Sequence, residues 1–193
     1  MTNLTNLINI MDELRDLVYE LPTSNIRKEA RRIINKSIKS LLNDYCEQSE
    51  HFEAVFVKEG NTGSENTLGV YIPRANLITI RPDLMDYINN YKKDFETDEG
   101  IDCGCTLEVA IDTYLHESRH AKQYSNDMDM CNGEYKRGSE CEDFEDYVNL
   151  YYNHPKEVDA RNYAAEYTED AMAYISEHLF EEVVPQLQSL LGM

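Results

Sequence analysis

Apolar side chains recur at three- and four-residue spacings over most of this chain, a helical period. Leu4, Leu7, Ile8, Met11, Leu14, Leu17, Val18 and Leu21 form one stripe, which predicts an amphipathic helix that Pro22 breaks. Ile26, Ala30, Ile33, Ile34, Ile38, Leu41, Leu42 and Tyr45 form the next, with Ser24 as its expected cap. The two read as a helical hairpin over residues 1–48. The period then changes to two. Ala54-Val55-Phe56-Val57 reads as a strand, and Leu68, Val70 and Ile72 alternate within residues 66–73. Pro73-Arg74-Ala75-Asn76 reads as a turn into Leu77-Ile78-Thr79-Ile80, which makes a β-hairpin.

Helical spacing returns at residues 106–124. Leu107, Ala110, Ile111, Tyr114, Leu115, Ser118 and Ala121 form its core stripe. Thr106 is its expected N-cap, and Arg119, Lys122 and Gln123 its expected outer face. Residues 126–138 lack a period and lie where a lid or substrate loop would sit. Ser139-Glu140-Cys141-Glu142 reads as a capping box for a short helix with Phe144, Tyr147, Val148 and Tyr151. Pro155 suits the first turn of a last helix, with Asn153 or His154 as cap. That helix runs through Tyr163, Ala164, Tyr167, Ala171, Tyr174, Ile175 and Leu179, and Pro185 is expected to stop it near Glu181 or Glu182. The pattern predicts an α+β fold in two parts: the helical hairpin, and a domain at 49–193 in which a β-hairpin precedes a helical half.

The central helix carries His116-Glu117-Ser118-Arg119-His120, which reads H-E-x-x-H. Residues four apart lie on one face of a helix, so both imidazoles can bind one Zn²⁺. Glu117 is about 100° around the axis from His116. Its carboxylate therefore lies beside the ion, where it can take a proton from a water that the metal acidifies. A catalytic zinc takes a third protein ligand. Glu157, in the first turn of the last helix, is a candidate carboxylate, and Asp159 is its rival.

With that second helix carrying Glu-x-x-Ala, the chain resembles the gluzincins, the thermolysin-like zincin metallopeptidases. Its small size and Pro-x-Glu-x-Asp-Ala-Arg segment are most similar to minigluzincins and to zincin-like peptidases of phages and mobile elements. The resemblance implies His116, His120 and Glu157 as zinc ligands and Glu117 as general base. It also implies a sheet that roofs the active-site helix and an edge strand that holds a peptide or protein substrate. Those enzymes place a carboxylate four residues after the ligand glutamate to orient a zinc histidine; here Arg161 occupies that position. Asp159 is the nearest substitute. Tyr163, Tyr167 and Arg161 are the nearby candidates for stabilising an oxyanion. The other reading is a catalytically silent or regulatory zinc-binding protein with one protein partner.

Composition narrows the partners. The chain has 193 residues and a net charge of −19. Residues 1–48 carry 7 basic and 7 acidic groups, so the excess falls on the rest of the chain. Phosphates would be repelled there, which disfavours nucleic acid; cationic peptides would be attracted, although solubility is the first reading of such a charge. The run of Arg27, Lys28, Arg31, Arg32, Lys36 and Lys39 reads as a solvated basic face. There is no apolar run of membrane length and no basic start followed by an apolar core. The expectation is a cytoplasmic protein. Five cysteines agree, because the number is odd and Cys103-Gly104-Cys105 is too tight for an ordinary bridge. A second zinc site from Cys103, Cys105, Cys131 and Cys141 is disfavoured by that same spacing.

Overall fold

The fold is taken from a computed structural model. It describes residues 3–50, 56–60, 62, 67–96, 102–125, 136 and 140–192. The two N-terminal stripes become α1 (Asn3–Glu20) and α2 (Ser24–Glu50). Leu7, Met11, Leu14 and Val18 are buried, but Leu17 is 44% exposed, contrary to the expected stripe. The cap of α2 is also one residue earlier than expected. Thr23 Oγ1 accepts from the Ile26 N–H, so Ser24 is already inside the helix. The basic face of α2 is used locally: Arg32 pairs with Glu29, and Arg31 sits over the Tyr19 ring.

Three strands follow: β1 (Phe56–Glu59), β2 (Gly69–Ile72) and β3 (Leu77–Ile80). The first is shifted from the expected position, and Ala54 and Val55 lie outside the described residues. β2 and β3 form the expected antiparallel hairpin, closed by a single 3₁₀ turn, Pro73–Ala75. Asn76 ends that turn in the left-handed region, which asparagine tolerates better than most side chains. β1 joins β3 in parallel, so the order is β1-β3-β2 and β2 is an edge strand. Its inward positions are Gly69 and Tyr71, while Ile72, on the apolar alternation, is exposed.

Residues 82–105 had no sequence assignment. They form two short helices, α3 (Pro82–Met85) and α4 (Tyr87–Asn90), then a two-stranded antiparallel ribbon, β4 (Asp94–Glu96) and β5 (Asp102–Cys105). β5 runs directly into α5 (Thr106–Ser125), the helix with the histidine pair. Thr106 does not cap it by accepting a hydrogen bond. Both its hydroxyl and its N–H donate to the Lys93 carbonyl, which ties the start of α5 to the ribbon.

Most of residues 126–138, including Met128, Met130 and Tyr135, lie outside the described residues. So does Ser139 of the expected capping box. The cap is Asp143, whose carboxylate accepts from the Asp146 N–H and starts α6 (Phe144–Asp146). A π-helical turn, Tyr147–Tyr152, follows where an ordinary helix was expected. α7 (Pro155–Leu191) then begins on His154, whose Nδ1 accepts from the Lys156 N–H. It passes through Pro185 instead of stopping before it. Val183 and Leu187 are buried on either side of Pro185, and their burial outweighs the lost backbone hydrogen bond.

At 37 residues α7 is about 55 Å long. It packs along α5, α2 and α1, and β2 and β3 pack on α5. One continuous apolar core results, with side chains from α1, α2, β3, α3, α4, α5 and α7. The fold is α+β and mostly helical. No helix among the described residues is long and apolar enough to cross a membrane.

Candidate metal centre

α5 and α7 meet where the sequence placed its candidate ligands. His116 and His120 project from one face of α5, and Glu157 reaches across from the first turn of α7. His116 Nε2 and His120 Nε2 are 3.0 Å apart. Glu157 Oε2 lies 3.3 Å from the first and 3.4 Å from the second. The imidazole planes are nearly perpendicular, at 87°, and the two nitrogens and the carboxylate oxygen lie close enough together to share one ion. Zinc bonds of about 2.0–2.1 Å drawn as a tetrahedron have edges of roughly 3.3–3.4 Å, close to this triangle. The donor set, two imidazoles and a carboxylate, suits zinc and leaves a fourth position open.

Burial adds a charge argument. Glu157 is 2% exposed, and a buried carboxylate needs a cation beside it. Without a metal, a proton on His116 supplies one. Burial pulls the His116 imidazolium down, but the Glu157 carboxylate, helped by Glu117 and Asp112, outweighs it and raises His116 above its ordinary value. A divalent ion would take over that role.

Asp159, the rival ligand, is turned away from the triangle. It holds Arg119 through two hydrogen bonds, at 2.7 and 3.0 Å. Arg119 beside it keeps its carboxyl below the usual range. Gln123, expected on the outer face, is buried, at 4% exposure. It faces His120 Nδ1 at 2.8 Å and donates to Asp159 Oδ2 and the Lys156 carbonyl. The sequence offered one clue to this partner. Gln123 is seven residues after His116, and so returns to the same face of α5 two turns later.

Glu117 is buried next to the histidine pair. Its Oε2 accepts from the Tyr71 N–H at 2.7 Å, so the candidate base also anchors the edge strand β2. The approach is close enough to require Gly69. A Cβ there would lie 2.7 Å from Thr113 Cγ2 and 2.9 Å from Glu117 Cγ. Tyr71 also meets Tyr124 of α5 edge to face.

None of the three expected oxyanion candidates is aimed at the triangle. Arg161 donates to the Tyr152 carbonyl and stacks on the Tyr152 ring. Tyr163 lies under Arg119, and its hydroxyl is buried. Tyr167 stacks on Tyr163. Sequence reasoning missed Tyr151. Burial pushes its phenol up, and the nearby Glu157 and Glu117 carboxylates push it further. It stands on the π-helical turn, a distortion that recurs at functional sites. Of the remaining histidines among the described residues, His154 is the α7 cap, and His178 bonds the Tyr174 carbonyl. Cys46 and Cys105 form no disulfide, and Cys103 and Cys131 lie beyond the described side chains. Comparison with protein-family models, curated proteins and solved structures finds no match, so the functional reading rests on the arrangement of these side chains.

Proposed function

We propose that this protein is a zinc-dependent hydrolase of the zincin type, resembling gluzincins, and that it cleaves peptide bonds. The carrying observation is the His116, His120 and Glu157 triangle, with its 3.0–3.4 Å edges and Glu117 one residue along the same helix. A bound zinc would supply electrophilic polarisation of the scissile carbonyl and of the attacking water. Glu117, held at Oε2 by Tyr71, offers Oε1 to take the water's proton and pass it to the leaving amine. β2 is the edge strand beside α5, where an extended peptide can add. The charge of −19 favours a cationic peptide or protein and disfavours nucleic acid. A reducing cytoplasm fits the unbridged thiols of Cys46 and Cys105.

One observation favours the second reading, a silent or regulatory zinc protein with a single partner. Glu117 has a structural task of its own at Tyr71, so its presence alone does not require catalysis. Glu117→Gln separates the two readings. The amide oxygen can still accept from Tyr71, so β2 stays anchored and zinc is retained, but no group takes the water's proton. Hydrolysis of a peptide library should then fall by about 10²–10⁴-fold relative to wild type. Equal cleavage by both proteins would remove Glu117 as base. Stoichiometric zinc with no cleavage of any peptide, and no new product among the proteins of a cell expressing wild type, would favour the silent reading.

A further inference from the structure

The histidine pair is not symmetric. His120 is gripped from behind and His116 is not gripped in the same way. Gln123 Nε2 lies 2.9 Å from the Lys156 carbonyl oxygen and 2.8 Å from Asp159 Oδ2. Both neighbours are acceptors, so this end of the amide must be the NH₂. Turning the amide over would set an oxygen against two oxygens. Gln123 Oε1 therefore faces His120 Nδ1, at 2.8 Å, and can only accept. The ring then has to carry its proton on Nδ1, which leaves the Nε2 lone pair facing His116 and Glu157. Asp159 is fixed in turn by the Arg119 fork.

We infer that Gln123, held by Asp159 and Arg119, is the positioning residue that fixes His120 as the Nδ1–H tautomer and so presets its Nε2 as a metal ligand before any ion arrives. The inference rests on the metal-centre reading, but deepens it at a residue outside the triangle. It also accounts for Arg161 at the position where the resembling enzymes carry a carboxylate. The orienting acceptor is supplied by α5 itself, two turns after His116, and its carboxylate support comes from Asp159, two residues after Glu157. Partners of this kind set ligand basicity and ring orientation, and losing one costs about 10–100-fold in metal affinity.

The test reads the tautomer directly. Metal-free full-length protein with ¹⁵N-labelled histidine is examined by long-range ¹H–¹⁵N correlation at mildly alkaline pH. Wild type should show His120 protonated on Nδ1. Gln123→Leu should release it toward the Nε2–H form that free imidazole favours, and should weaken Zn²⁺ binding by about 10–100-fold in chelator competition. Asp159→Ala, which leaves Gln123 in place but unsupported, should give an intermediate mixture. A wild-type His120 protonated on Nε2 overturns the inference, and that measurement needs no variant to fold. A Gln123→Leu protein that keeps the pure Nδ1–H form overturns it as well. Both readings are made without metal, so their failure would leave the zinc centre standing. A wild type with the expected tautomer that takes up no zinc would instead sink the metal reading.

Discussion

At the level of single residues, spacing picks out three side chains that the structure brings together, but not what holds them. His116 and His120 are legible because an i, i+4 pair on a helix has one geometric meaning. Glu157 is legible because Pro155 marks the first turn of a helix. Gln123 was misplaced on the outer face because a polar residue near a helix end ordinarily is solvated. Its partners, Lys156 and Asp159, are 33 and 36 positions away, and no local pattern reveals them. Asp159 gives a direct check on this network. Asp159→Ala frees both Arg119 and the Gln123 amide and should lower stability by about 2 kcal/mol, measured by urea unfolding near neutral pH. The sign with pH follows from the lowered carboxyl. Its contribution is complete above the unfolded value of about 3.9 and is lost as pH falls through the lower folded value. The gap between wild type and variant should therefore close only below about pH 4. A gap already absent at neutral pH would mean that the pair contributes nothing.

Elements were legible where one face is buried and the period is clean, and less so where a terminus depends on a single side chain. The extent of α5 and the start of α7 follow the sequence pattern closely, although Thr106 donates to Lys93 instead of capping α5. The caps of α2 and α6 do not, because Thr23, Ser24, Ser139 and Asp143 are all acceptable caps in isolation, and tertiary contacts choose among them. Pro185 lacks an N–H and so signals a stop, yet α7 needs only one broken hydrogen bond to keep Val183 and Leu187 buried. Pro185→Ala restores that bond at an exposed position. It should raise stability by about 1–3 kcal/mol, seen as a higher melting temperature. No change would show that the helix already bends around the site at no cost. The opposite sign is expected at Gly69. Gly69→Ala drives a methyl into Thr113 and Glu117, so β2 has to lift from α5. The expected loss is about 1–3 kcal/mol, with faster exchange of the Tyr71 amide proton as the local signature. An unchanged Tyr71 amide would show that β2 does not depend on that contact.

For the whole molecule, no local pattern marks α7 as the common wall against which α1, α2 and α5 all pack. A stripe shows that a helix buries a face, not which partner covers it. Because α7 also carries Glu157, the centre should be coupled to global stability, and pH should expose that coupling. His116 is raised in the metal-free protein, so its contribution is fully present below the unfolded value of about 6.5 and lost as pH rises through the higher folded value. Zinc requires that proton to leave. Across this window the melting temperature of metal-free protein should fall with rising pH, while the increment given by zinc should grow. Scanning calorimetry with and without zinc checks both slopes, and parallel curves would contradict the assignment. The span between the ligands has a further consequence, for the order of assembly. His120 and Glu157 are 37 positions apart and belong to separate helices. An ion shared between them would close the intervening chain into a ring in the unfolded ensemble and shorten the search by which α7 finds α5. Refolding should thus accelerate with zinc present from the start. It should gain nothing when zinc is added after the two helices have met.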